Sequence, residues 1–259
     1  MQMGISNDLG VEYFENLNNH ITDLTTNEVR IPFKWSDWDK YTYGGIPVNQ
    51  PCMFIIMAQP GLGKSQMMMN IGYNWLCQNK NVLMITLEMS EQMYSKRMSA
   101  LFSDINVNEL KDNVEILRKR VSTAKLNMPS AKLYIKQFSP NEFNSIKLKT
   151  ILEKYKKTKN FVPDLIIVDY LNIMCTNASA AGMKSYERVG TISKELRSVS
   201  IETKITIVSA TQSNRSVSGG YAGEDISMSN TSDSAGINMD ADAIFALYQL
   251  EGERELRKN

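Results

Sequence analysis

Histidine occurs once, at His20, and cysteine three times, at Cys52, Cys77 and Cys175. Neither a disulfide framework nor a Cys/His zinc site can be assembled from so few and so widely spaced ligands, and reduced thiols fit the cytosol. An excess of one charge sign is also missing. The formal net charge is +1, so contact with nucleic acid would rest on local patches and not on an overall field. Long apolar runs are absent, and the amino-terminal residues carry Asp8, Glu12 and Glu15 with no basic segment leading into an apolar one. The expectation is a cytoplasmic chain, neither secreted nor set in a membrane.

What is present is ordinary for a globular protein: 259 residues, 42% of them hydrophobic, enough for one α/β domain with a sizeable core or for one domain plus a short appendage. Residues 9 to 24 place Leu9, Tyr13, Leu17, Ile21 and Leu24 at helical spacing, on a segment too short to be stable alone in water. It must pack on something. The following stretch through Pro32 reads as a linker, because proline lacks a backbone donor and the Thr and Asn side chains compete with helix bonding. These features divide the chain into a helix and linker over residues 1–30 and a main domain over residues 31–259.

From there β-rich runs alternate with helical patterns: CMFIIMA, VLMITLE, KLYIKQF, DLIIVDY and ITIVSAT each precede or follow a helical stretch. Runs apolar enough to be buried on both faces argue for a mostly parallel sheet covered by helices, an α/β fold. Ser139, Pro140 and Glu142 offer a capping hydroxyl, a proline at the first helical position and a reaching glutamate, which predicts a helix start at that point. Residues 213 to 236 are crowded with serine and glycine and form either a ligand-gripping loop or a merely mobile one. The lysine-rich stretch KLKTILEKYKKTKN is read as a solvated helix face.

The most specific signal is the run Ala58, Gln59, Pro60, Gly61, Leu62, Gly63, Lys64, Ser65, with Gln66 following. It matches the phosphate-binding pattern Gly-x-x-x-x-Gly-Lys-Ser/Thr except that Ala58 replaces the first glycine. Backbone amides of such a turn face the phosphates at a helix N-terminus; Lys64 adds a point charge and Ser65 a hydroxyl for magnesium. Asp169, at the end of an apolar strand, suits a second magnesium residue, while Asp164 before that strand suits a capping role. Glu88 is either a general base for the attacking water or a helix-capping residue near Ser90. Gln212 can bond a γ-phosphate from the end of the last of these strands. Carboxyl ends of parallel strands form one crevice, so Lys64, Glu88, Asp169 and Gln212 together suggest an ATP hydrolysis site.

In combination, AQPGLGKS, TLEMS, IIVDYLNI, ATQSNR and SDSAGINMDADAIFALY resemble the RecA-like ATPase domain of DnaB-type replicative helicases, above all those of T-even phages. The resemblance runs from about residue 10 to the end. It implies a RecA-like P-loop NTPase fold with an N-terminal linker helix that docks on the adjacent subunit. It further implies ATP or another NTP with Mg2+, single-stranded DNA as the track, a homohexameric ring, and primase and a helicase loader as partners, in the host cytoplasm of a phage. Carried over by position, Lys64 and Ser65 take the phosphate and metal roles, Asp169 the second metal role, Glu88 the catalytic base and Gln212 the γ-phosphate sensor. DNA-facing loops would correspond to residues 176 to 188 and 213 to 236, with Lys184, Arg188 and Arg215 as candidate phosphate contacts. The family's N-terminal domain and its arginine finger have no counterpart here, so the resemblance implies a truncated chain that binds ATP but hydrolyses it weakly. A RecA-like recombination or regulatory ATPase that assembles on DNA without unwinding is the alternative.

Overall fold

The computed structural model describes residues 10–25, 28–48, 50–179, 182–212 and 240–248. Six strands form one parallel sheet: β3 (Met53–Ala58), β4 (Val82–Thr86), β5 (Leu133–Gln137), β6 (Leu165–Asp169), β7 (Thr206–Gln212) and β8 (Ala243–Leu247). Their spatial order is β5-β4-β6-β7-β3-β8, every neighbouring pair parallel. The central strands are buried along their whole length because helices cover both faces, which is why their sequences are continuously apolar and do not alternate.

The side-chain period of two sorts each strand between two cores. Phe54, Ile56, Met84, Ile167 and Val208 meet α3 (Lys64–Cys77) and α4 (Glu91–Ser103) through Met68, Trp75, Tyr94 and Met98. Ile55, Leu83, Ile166, Val168 and Ile207 meet α6 (Ser145–Lys159) and α7 (Ser185–Thr203) through Leu148, Leu152, Ile192 and Leu196. Gly72 lets α3 lie close on the sheet: a Cβ there would stand 2.3 Å from Met84 Cε and 3.0 Å from Ile167 Cδ1. A further helix, α5 (Val114–Asn127), has no fully buried residue and packs on α4; its weak apolar pattern left it unread in the sequence.

The segment ahead of the sheet forms a two-stranded antiparallel ribbon, β1 (Arg30–Ile31) with β2 (Ile46–Pro47), around a short helix, α2 (Ser36–Tyr41). Asp39 accepts from the backbone amides of Phe33 and Lys34 and so fixes the turn. The turn sends Phe33 into the core and stacks Trp38 on Phe245 of β8, ring centroids 3.9 Å apart. Ahead of it, α1 (Leu17–Thr25) starts later than the apolar spacing suggests, and Tyr13, Phe14, Leu17 and Ile21 are exposed.

One helix start needs correction. Helix α6 begins at Ser145, capped by Asn144, whose Oδ1 accepts from Lys147 N, and not at Ser139–Glu142. Asn141 sits at φ 59°, a left-handed conformation that no helix can pass through, so that stretch is a turn. Asp164 does act as a strand-start cap: its Oδ2 accepts from Asn81 N at 2.7 Å and joins the starts of β4 and β6. The lysine-rich helix α6 buries Leu148 and Leu152 and turns its lysines outward. Residues 213 to 236, including Arg215, lie outside the described residues. Among the described residues no helix is long and apolar enough to cross a membrane.

Candidate active site

Four neighbouring strand ends build the site. In the sheet register Ala58 stands opposite Gln212, and Thr86 opposite Asp169, so the carboxyl ends of β4, β6, β7 and β3 lie side by side. This is where a parallel sheet with helices on both sides opens its crevice.

After β3 the chain turns through Gly61 at φ 79° and Gly63 at φ 90°, conformations that glycine adopts at little cost. A Cβ at either position would meet nothing within 4 Å, so the outer side of the turn is open to a ligand. No side chain caps α3, which leaves the first amides of the helix directed at that opening. Lys64 is buried, and its Nζ donates to the carbonyls of Ala58 at 3.0 Å and Gln59 at 3.2 Å. Burial pulls its proton affinity down, while the charges of Asp169 and Glu88 act in the opposite direction.

Asp169 is completely buried at the end of β6. Tyr94 Oη donates to its Oδ2 at 2.8 Å, and among the described residues Oδ1 has no hydrogen-bond partner. Burial raises the carboxyl's pKa, and Glu88 adds to the rise; the hydroxyls of Ser65 and Tyr94 and the charge of Lys64 favour the ionised form. A buried oxygen without a partner among the described residues, on a carboxyl that the Ser65 hydroxyl also influences, fits one coordination position of a hard divalent cation. Among the described residues no group of three or more His, Cys, Asp or Glu could hold a metal alone. The donor set therefore suits a magnesium ion that takes its other ligands from phosphate and water.

Strand β4 ends at Thr86, two residues before Glu88. Thr86 Oγ1 donates to Met89 O at 2.8 Å and accepts from Met89 N at 3.1 Å, so it shapes the turn that exposes Glu88. The hydroxyl of Ser90 accepts from Met93 N and caps α4, which leaves Glu88 clear of that task. Gln212 closes β7. Its backbone amide donates to Asn172 Oδ1 at 3.0 Å, and its Nε2 donates to Tyr170 Oη at 3.2 Å. The Tyr170 ring in turn lies 5.8 Å from Lys64 Nζ.

The structure thus gathers Lys64, Ser65, Glu88, Asp169 and Gln212 at one crevice. It also adds Tyr94, Thr86, Tyr170 and Asn172, which sequence reasoning missed. Tyr170 follows Asp169 directly and Asn172 lies just beyond, a signal within reach; Tyr94 sits four residues before Met98 and reads as ordinary core. Lys184 is exposed at the start of α7, its Nζ 5.8 Å from the Tyr186 ring. Arg188 is half-buried and donates to the carbonyl of Asn172 at 3.1 Å.

Known proteins resemble this chain in sequence and in fold. The family described as DnaB-like helicase C terminal domain matches residues 31–259. A DnaB-like replicative helicase of Enterobacteria phage T4 is 29% identical over 227 residues, covering 86% of this chain and 46% of that protein. The replicative DNA helicase DnaB of Helicobacter pylori strain J99 is 30% identical over 225 residues, covering 85% of this chain and 44% of that protein. The chain spans about half the length of the curated relatives it matches. Among solved structures, a DnaB-like replicative helicase described with its interactions with primase superposes at TM-score 0.73 and 20% identity, covering 97% of this chain and 60% of the other. A second solved structure, described as an ATPase domain, superposes at TM-score 0.72 and 20% identity, covering 94% of this chain and 84% of the other. These likenesses establish a RecA-like fold, and the family match over residues 31–259 establishes that this chain belongs to the DnaB-like helicase C-terminal domain family.

Proposed function

We propose that this chain is the ATPase motor of a hexameric replicative DNA helicase, which uses NTP hydrolysis to move along single-stranded DNA and unwind duplex DNA. The observation that carries the reading is the convergence of Lys64, Ser65, Asp169, Glu88 and Gln212 on one crevice at four adjacent strand ends. In this reading the open turn from Ala58 to Gln66 and the N-terminus of α3 cradle the phosphates. Lys64 exchanges its loop carbonyls for β- and γ-phosphate oxygens. Ser65 and Asp169 hold a magnesium ion, which when bound neutralises phosphate charge and polarises the transferred group. Glu88, exposed beside the Lys64 ammonium, orients and deprotonates the attacking water. Gln212 senses the γ-phosphate, and β7 runs from it directly into residues 213 to 236.

Single-stranded DNA is the proposed track, with Lys184, Arg188 and Arg215 contacting its phosphates without regard to sequence. Residues 1–30 serve as linker helix and linker, and 31–259 as the motor. The exposed Leu17 and Ile21 of α1, with the exposed Tyr13 and Phe14 just ahead of it, suit this segment to docking on the next subunit of a ring. Primase and a helicase loader are the proposed further partners, in the cytoplasm of a phage-infected host. A RecA-like ATPase that assembles on DNA without unwinding shares the site, but the DnaB-type family match favours the helicase. Electron microscopy with a non-hydrolysable ATP analogue and single-stranded DNA separates them: closed rings support the helicase, and open filaments overturn it.

A further inference from the structure

Tyr94 takes no part in the roles just assigned, yet it is fully buried and its hydroxyl meets the carboxylate at the end of β6. We propose that Tyr94 is a positioning residue for the metal site: its hydroxyl holds Oδ2 of Asp169 and thereby presents Oδ1 to the cation beside Ser65. The inference rests on the reading of Ser65 and Asp169 as the metal residues.

Two features separate this role from simple packing. The ring lies among Met68, Met98 and other apolar residues, where a phenylalanine would fill the same space without bringing a polar group into the core. A hydroxyl in such surroundings is costly unless bonded, and its bond goes to one oxygen of a carboxylate whose other oxygen is buried without a partner among the described residues. One oxygen fixed and the other free is the arrangement in which an outer partner orients a metal-binding carboxylate. The placement is also economical in sequence: Tyr94 lies in the first turn of α4, just after the turn that exposes Glu88. The same helix start therefore sets the angle of Asp169 and the position of the proposed base.

The test is the affinity of Mn2+ for the protein–nucleotide complex, read by electron paramagnetic resonance of the free ion. Tyr94→Phe keeps the ring and removes the donor. It is expected to weaken Mn2+ binding about ten-fold, the lower end of the effect of outer partners on metal affinity, with nucleotide binding in EDTA unchanged. Unchanged Mn2+ affinity in a folded Tyr94→Phe protein overturns the proposal. If that variant does not fold, the wild-type chain labelled with 13C at the tyrosine phenol carbon decides. The Tyr94 resonance must move when Mg2+ is added to the nucleotide complex, and a resonance indifferent to Mg2+ overturns the proposal. Asp169→Asn distinguishes the underlying reading: if it leaves Mn2+ affinity intact, the metal assignment of Asp169 fails, whatever Tyr94 does.

Discussion

Asn172 holds the end of β7 by its side chain: Oδ1 accepts from Gln212 N at 3.0 Å and from Thr211 Oγ1 at 3.0 Å. Its own carbonyl accepts from Arg188 Nη2 at 3.1 Å, so one residue joins the proposed sensor strand to the first turn of α7. Removing the shared acceptor leaves a partly buried amide and a hydroxyl unpaired, at a cost of about 1–3 kcal/mol. Asn172→Ala is expected to lower the melting temperature by roughly 2–10 °C for a domain of this size. Asn172→Asp, which keeps an acceptor at the same place, should lose less. Thermal unfolding followed by circular dichroism checks both, and an alanine variant as stable as wild type contradicts the anchoring role.

Glu88 stands exposed on the turn shaped by Thr86, and no cap on α4 requires it. Glu88→Gln should therefore leave the fold and nucleotide binding intact while reducing hydrolysis by about 10²–10⁴, the usual worth of a general base. Steady-state phosphate release compared with nucleotide affinity checks this. Loss of binding in Glu88→Gln would refute the base assignment.

Phe33 reaches the core from the ribbon ahead of the sheet and meets Trp38, Phe54 and Phe245 edge-on. Phe33→Ala should cost about 3–5 kcal/mol, as expected for a buried aromatic whose cavity cannot collapse. Lys40→Ala, at an exposed site on neighbouring α2, should stay within about 0.5 kcal/mol. Urea unfolding of the two variants distinguishes a docked ribbon from a dispensable one.

Cys52 precedes β3 and is buried; burial, with the charge of Asp242 adding to it, raises its thiol pKa from 9.0 to about 11. The folded protein thus keeps this proton where the unfolded chain has lost it. The stabilising contribution is complete below pH 9, falls as pH rises above 9, and is lost by about 11. Alkylation with iodoacetamide at pH 8 should modify the half-buried Cys77 and Cys175 before Cys52. Mass spectrometry of the alkylated chain gives the order, and early modification of Cys52 contradicts the assignment.

Much of the fold was legible because parallel strands buried on both faces leave continuous apolar runs, and MFIIMA and LIIVD both became strands where expected. The turn after β3 was legible because Gly61 and Gly63 meet a positive-φ requirement of the backbone. The helix start at Ser139 was misread because proline and serine serve turns as well as caps, and the left-handed Asn141 decided between them. Tyr94 was hidden for a different reason: its hydroxyl meets Asp169 across 75 positions of sequence, and helical spacing records the ring but not the bond. Lys184 is exposed and Arg188 donates to the Asn172 carbonyl, placements that residue type and position in the sequence do not distinguish.

Titration of the purified protein with a fluorescent ATP analogue and Mg2+ tests the proposed site most directly. The wild-type chain and Glu88→Gln should bind with similar affinity, and Lys64→Ala, folded to the same melting temperature within a few degrees, should show no saturable binding. Equal binding by Lys64→Ala would contradict the assignment of the crevice at the ends of β3, β4, β6 and β7 as the nucleotide site.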